Sequence, residues 1–167
     1  MRPLLLAALF LPTFVSAQQW MTREGSITFD ATTPMEDISA LSESASAVFD
    51  EETGQLGVQV LVTSFEFRRA LMQEHFNESY LESDRYPTAL FKGRYDQGRA
   101  KGTLTLHGVS REVDVPATLV MDNGSWQLNT TFTIAVADYN IAIPVPVKDK
   151  VASEVRIEVD CKLRPRK

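Results

Sequence analysis

The chain has 167 residues, with 17 basic and 22 acidic side chains and a formal net charge of −5 at pH 7. This length predicts a single domain. The acidic balance argues against nucleic acid as a partner and against tight electrostatic binding to anionic headgroups, because both need a basic surface. The only cysteine, Cys161, cannot form a disulfide bond within the chain. A hydrophobic core therefore has to supply the stability.

The first 17 residues have the features of a secretory signal peptide. Arg2 precedes an apolar run from Leu4 to Val15, and Val15-Ser16-Ala17 is a small-residue cleavage site. The run is shorter than the roughly 20 apolar residues that a membrane-spanning helix needs. We therefore predict that residues 1–17 are removed on export and that residues 18–167 form one soluble domain without a membrane span.

Most of the remaining chain alternates apolar and polar residues with a period of two, which is typical of strands with one buried face. Asp122-Asn123-Gly124-Ser125 is a hairpin signal, because Asn and Gly tolerate the positive φ of tight turns. Pro116 lacks an N–H group, so we expect an edge, a bulge or a corner there. Eight strands are predicted at 25–31, 38–50, 56–63, 88–96, 100–107, 113–121, 126–136 and 151–163.

One segment interrupts this alternation, from Arg68 to about Glu82. Its apolar face includes Leu71 and Phe76, which indicates a short helix. Pro87 forces the preceding residues out of helical conformation and marks the next strand. Eight antiparallel strands remove their edges by closing into a barrel, with the helix between strands as a cap over one end. Such a barrel is wide enough to be filled by side chains or to hold one small ligand.

Two ordered motifs carry a resemblance to a known family. The first, His75 to Phe91, leads into Tyr86-Pro87 and then a strand; the second, Gly102 to Val113, turns at His107-Gly108. Their order closely resembles the YceI-like family of bacterial periplasmic proteins, across nearly the whole chain after the leader. The resemblance implies a lipocalin-like barrel, a periplasmic location and a polyisoprenoid held inside. It also implies a homodimer as one state of assembly.

Apolar and aromatic side chains around the helix and its flanking strands are the candidate ligand contacts. Ordinary core packing is the competing interpretation, because most buried apolar residues serve no other purpose. The resemblance favours a ligand, and so does the small-residue segment Ser44-Ala45-Ser46-Ala47, which would leave space in a barrel. The candidate residues are Phe65, Phe67, Leu71, His75, Phe76, Tyr80, Leu81 and Phe91.

Catalytic and metal-binding patterns are absent from the sequence. His75 and His107 are the only histidines, too few for a histidine-based metal site, and turn geometry accounts for His107. We expect His75 to be half-buried and hydrogen-bonded on the helix, or else to contact a headgroup. Cys161 falls on an apolar strand face, where a thiol is inert. Neither a nucleophile elbow nor a phosphate-binding glycine loop occurs. We predict no enzyme activity, no metal and no cofactor other than a bound isoprenoid lipid.

Two functional hypotheses follow. In the first, the protein sequesters or carries an amphiphilic lipid, and affinity comes from the tail while polar groups at the mouth select the head. Arginines such as Arg68, Arg69 or Arg85 would suit a polyprenyl phosphate, whereas Tyr80 or His75 would suit a prenyl quinone. The sequence leaves this choice open. In the second hypothesis, side chains fill the barrel and its outer surface acts as a protein-interaction module in the cell envelope.

Overall fold

The computed structural model describes residues 18–143 and 151–166, and most of these lie in antiparallel strands. The predicted signal peptide, residues 1–17, lies outside the described residues. The described strands are β1 (Gln19–Asp30), β2 (Ser39–Asp50), β3 (Gln55–Leu61), β4 (Glu66–Phe67), β5 (Thr88–Asp96), β6 (Arg99–Leu106), β7 (Val109–Asp122), β8 (Ser125–Ala135) and β9 (Glu154–Pro165).

The strands close into a barrel. Around the sheet the order is β1-β9-β8-β7-β6-β5-β3-β2, and pairing of β1 with β2 joins the two ends. β4 has only two residues and adds to β2 beside Ala40 and Leu41. The prediction of an eight-stranded antiparallel barrel with a short helix is confirmed. Closure satisfies the backbone hydrogen-bonding groups that an open sheet would leave unpaired at its edges.

The predicted helix is present, but it is shorter and irregular. Helix α1 spans Ala70–His75 and passes into a π-helical turn over Phe76–Tyr80. That turn ends where the Leu81 N–H donates to the Phe76 carbonyl oxygen, five residues back, at 2.9 Å. Glu82 follows with a φ of 44° and directs the chain towards β5. The helix therefore lies between β3 and β5 at one end of the barrel, as predicted.

The first strand begins earlier than its sequence pattern indicates. β1 starts at Gln19, but the alternation predicts a strand only from Gly25. Arg23 and Glu24 are both exposed, and the pairing with β2 shifts register between Thr22 and Gly25. This irregularity breaks the period-two pattern. The sequence before Gly25 therefore does not indicate a strand.

Pro116 lies at a change of strand partner. β7 pairs with β6 up to Pro116 and with β8 from Ala117 onwards. The Pro116 carbonyl oxygen accepts a hydrogen bond from the Thr130 hydroxyl at 2.7 Å. A residue without an N–H group is tolerated here because the ladder to β8 has not yet begun.

Aromatic rings pack together at the end of the barrel opposite the helix. Trp126 lies edge-on to Trp20, with ring centroids 6.4 Å apart, and to Phe49, at 5.5 Å. Trp20 and Phe49 are buried and pair across β1 and β2. We call these three residues the aromatic floor. Large aromatic side chains therefore pack together at the end of the barrel away from the helix.

Two facing glycines bring β5 and β6 unusually close together. Gly93 and Gly102 are paired, and a Cβ atom on Gly93 would overlap the Lys101 carbonyl oxygen. That obstacle is backbone, which cannot move aside without disturbing the ladder. Gly57, on the adjacent strand β3, differs: a Cβ there would have its nearest neighbour, the Phe91 carbonyl oxygen, at 3.9 Å.

We predict that Gly93→Ala destabilises the protein by about 1–3 kcal/mol, as overpacking does in other proteins. Gly57→Ala is the matched control and should change the free energy of unfolding by less than about 0.5 kcal/mol. Urea unfolding monitored by circular dichroism measures both values. Equal stability of the two variants would contradict a close approach of β5 and β6.

Candidate ligand-binding cavity

The barrel encloses a cavity of about 460 Å³ between the aromatic floor and the helix. Small-molecule pockets in proteins range from about 300 to 1,000 Å³, so this space suits one small ligand. Side chains on the inward faces of β1, β3 and β5–β9 line it, together with the helix. A barrel filled by its own side chains, the alternative considered from the sequence, does not fit this interior.

All eight candidate residues line the cavity. Phe65 and Leu81 are buried, while Phe67, Phe76, Tyr80 and Phe91 are half-buried. Leu71 is 61% exposed and His75 is also exposed, so these two lie at the opening, which we call the mouth. His75 is thus more exposed than the half-buried position expected for it. The structure places the eight residues around one space, and their contact with a ligand stays a prediction.

An aromatic cluster lies beneath the helix. Phe76 stacks on Phe29 with ring centroids 5.1 Å apart and an angle of 11° between the ring planes. Phe67 and Phe65 contact the same Phe76 ring at 5.0 and 5.9 Å. Phe76 comes from the π-helical turn and Phe29 from β1, so the cluster joins the cap to the barrel wall. It also gives the cavity a largely aromatic upper wall.

Further lining residues were not identified from the sequence. They include inward positions on the later strands and in the segment after β8: Leu104, Leu106, Phe132, Ile134, Ile141 and Ile143. Alternation did predict which residues of β8 share a face. Alternation did not predict whether that face points into the barrel. It also did not predict how far each residue lies from the aromatic floor.

The prediction that the small-residue segment of β2 leaves space inside the barrel is wrong. Ala45 and Ala47, in the small-residue segment of β2, are fully buried but do not line the cavity. Ala45 packs beside Gly25, where an added Cβ would overlap the Cys161 sulfur. The small residues therefore allow β1, β2 and β9 to pack closely. The cavity lies instead among the larger side chains of β1, β3 and β5–β9.

Hydrogen bonds and ion pairs hold the helix over the mouth. The Gln73 side-chain amide donates to the Phe65 carbonyl oxygen at 2.9 Å and accepts from the Phe67 N–H at 3.3 Å. Arg69 pairs with Glu36 at 2.5 Å, and Arg68 pairs with Asp37 at 3.5 Å. Both carboxylates belong to the loop between β1 and β2. The helix is thus tied to its own preceding segment and to the loop between β1 and β2.

Polar groups are few among the described residues that line the cavity. They are Glu36, Arg69, His75, Tyr80 and Thr130. The Thr130 hydroxyl is already engaged with Pro116. Burial raises the pKa of the Tyr80 phenol above its ordinary value, so this group stays protonated at neutral pH. Tyr80 therefore offers a neutral hydrogen-bond donor near the mouth.

His107 joins three segments around the mouth. Its Nδ1 atom lies 3.0 Å from the Tyr139 carbonyl oxygen, and its Nε2 atom lies 2.9 Å from a Glu82 carboxylate oxygen. The imidazole also meets the Tyr86 ring edge-on at 4.7 Å. His107 has a φ of 50°, so the predicted turn is confirmed. Its side chain has a second role that turn geometry did not predict.

Contact between Tyr86 and Gly108 explains why the two sequence motifs occur together. A Cβ atom on Gly108 would lie 2.5 Å from the Tyr86 ring, and Gly108 has a φ of 72°. Only glycine satisfies both conditions. The Tyr-Pro segment and the His-Gly turn are therefore two halves of one packing contact.

Cys161 has no reactive character. Burial raises the pKa of its thiol to about 12, so the thiolate is absent at neutral pH. Within residues 18–143 and 151–166, no group of three or more His, Cys, Asp or Glu side chains is placed to hold a metal ion. In the same ranges no helix is long and apolar enough to cross a membrane.

Comparison with known proteins gives one family and several similar folds. The model of the YceI-like domain matches residues 16–163. Burkholderia cenocepacia BcnA is 18% identical, with a TM-score of 0.71 over 83% of this chain and 95% of that one. A polyisoprenoid binding domain from Saccharophagus degradans, implicated in plant cell wall breakdown, is 12% identical, with a TM-score of 0.74 over 90% and 99%. At these identities the likeness shows the fold. No curated protein sequence matches the chain.

We predict that His107→Asn destabilises the protein by about 1–2 kcal/mol, because it removes hydrogen bonds of a side chain that is only 10% exposed. Asparagine tolerates positive φ, so the turn itself is preserved. His75→Asn is the matched control and should have little effect, since His75 is exposed. Chemical unfolding of both variants measures the difference. If the two substitutions cost the same, His107 does not hold the mouth together.

Proposed function

The chain belongs to the family of YceI-like domains, and on this premise we propose that it sequesters or carries an amphiphilic lipid of the isoprenoid type, a prenyl quinone or a polyprenyl phosphate. The observation that carries the proposal is the cavity of about 460 Å³, which is lined almost entirely by apolar side chains. Such a space favours an apolar tail over any polar metabolite. Binding without chemical conversion is the activity that we propose.

The tail and the head of the lipid would have separate places. The tail lies against the aromatic cluster and the inward faces of the strands, and each buried methylene contributes roughly 0.8 kcal/mol. The head stays at the mouth, near Tyr80 and His75. Ordering and desolvation costs offset part of the tail's contribution, so the polar contacts decide which amphiphile is preferred.

The remaining proposals concern location. Residues 1–17 would direct export and be cleaved, and residues 18–167 would act as one domain in the periplasm. There the protein would shield a lipid tail from water between its source and its destination. The similarity in fold to a polyisoprenoid binding domain supports an isoprenoid as the bound lipid.

We predict that Phe67→Asp and Phe76→Asp each weaken binding of a short-chain prenyl quinone by at least about tenfold, because each places a carboxylate against the tail. Both residues are half-buried, Phe67 on the two-residue strand β4 and Phe76 in the π-helical turn, so the eight strands of the barrel should remain folded by circular dichroism. Calorimetric titration of each variant with the quinone measures the affinity.

Val120→Asp is the matched control, since Val120 is 58% exposed on β7 and does not line the cavity. It introduces the same charge on the outer surface and should leave the affinity unchanged. Folded Phe67→Asp and Phe76→Asp proteins that bind the quinone as tightly as the control would refute the proposed cavity.

A further inference from the structure

We propose that Glu36 and Asp37 make the mouth selective for amphiphiles with an uncharged polar head and exclude those with a phosphate head. The inference rests on the proposed function and chooses between its two head groups. Glu36 and Asp37 lie in the loop between β1 and β2, facing Arg69 and Arg68 at the start of the helix. The four side chains form the mouth quartet.

Two members of the quartet, Glu36 and Arg69, lie on the path of the head group, whereas Arg68 and Asp37 are exposed beside them and do not line the cavity. Glu36 and Arg69 both line the cavity, and among its described lining residues they are the Asp, Glu, Lys and Arg side chains present. The Glu36 side chain is only 20% exposed, so its charge is screened less than that of an ordinary surface carboxylate. Arg85, the third arginine considered from the sequence, lies over the Tyr86 ring at 5.2 Å and does not line the cavity.

Arg69 at this mouth already has an anionic partner. A guanidinium group recognises phosphate by donating parallel hydrogen bonds, and one nitrogen of Arg69 donates to the Glu36 carboxylate at 2.5 Å. A phosphate approaching Arg69 would have to displace Glu36 or lie beside it. Displacement loses the existing pair, and coexistence places like charges together. Both routes disfavour an anionic head.

The quartet also carries no net positive charge. Its two arginines are balanced by two carboxylates, in a chain whose formal charge is −5. Long-range attraction of an anionic lipid to the mouth is therefore absent. An uncharged head meets none of these penalties, because the His75 ring and the Tyr80 phenol offer hydrogen bonds suited to a carbonyl or hydroxyl oxygen.

The test compares two ligands that share one tail, farnesol and farnesyl phosphate. Calorimetric titration, with each ligand below its critical micelle concentration, gives the ratio of their dissociation constants. Glu36→Gln combined with Asp37→Asn removes both carboxylates and frees both arginines. Because both ligands pass the same opening, any loosening of the helix in this variant affects them alike and cancels from the ratio.

A matched control neutralises two carboxylates far from the mouth, through Glu52→Gln combined with Asp96→Asn. Both residues are exposed, at or beside turns on the floor side of the barrel. This variant changes the net charge by the same amount, so it separates a local effect of the quartet from a general effect of the acidic surface.

We expect the unmodified protein and the control to bind farnesol at least about tenfold more tightly than farnesyl phosphate, and the quartet variant to reduce this preference at least about tenfold. Equal affinity of the unmodified protein for both ligands would overturn the inference. So would an unchanged ratio in the quartet variant. Absence of binding by either ligand is a distinct result, because it would overturn the proposed function itself.

Discussion

Pairing of β1 with both β9 and β2 closes the sheet, and the remaining features of the molecule depend on that closure. A closed sheet encloses an interior. The side chains that face it are apolar, because apolar and polar residues alternate along each strand. The close approach of β1, β2 and β9 around Gly25 and Cys161 narrows one side of the barrel. The cavity wall is formed by larger side chains on β1, β3 and β5–β9.

The two ends of the barrel are built differently. The floor is a set of three large aromatic rings contributed by the paired strands β1 and β2 and by β8, which β9 separates from β1. The mouth is assembled from segments far apart in the chain, which His107 joins through Glu82 and the Tyr139 carbonyl oxygen. The helix above it has no fully buried residue and is held by Gln73, by two ion pairs and by the Phe76 ring. An aromatic floor beneath a lightly attached cap is consistent with entry at the mouth.

Much of the fold was predictable from the sequence, because apolar and polar residues alternate regularly in strands such as β9. The turns also contain residue types that favour tight turns. The early part of β1 was not predictable, since its register shift removes the period-two pattern. All eight candidate site residues line the cavity, because they flank a helix that the two motifs locate. The sequence did not predict that Leu106 and Ile134 form part of the cavity wall. It also did not predict that Arg69 pairs with Glu36. Both depend on contacts between segments distant in the chain, which local patterns do not encode.

The fold and the cavity together favour a lipid carrier whose selectivity resides at the mouth. The central claim is that an amphiphile occupies the barrel. Native mass spectrometry of the protein purified from a bacterial periplasm, followed by denaturing extraction, tests it most directly. We expect a bound species that is released on denaturation and has the mass of an isoprenoid lipid. A protein that shows only the mass of its own chain, and that takes up no prenyl lipid when one is supplied, would contradict the account.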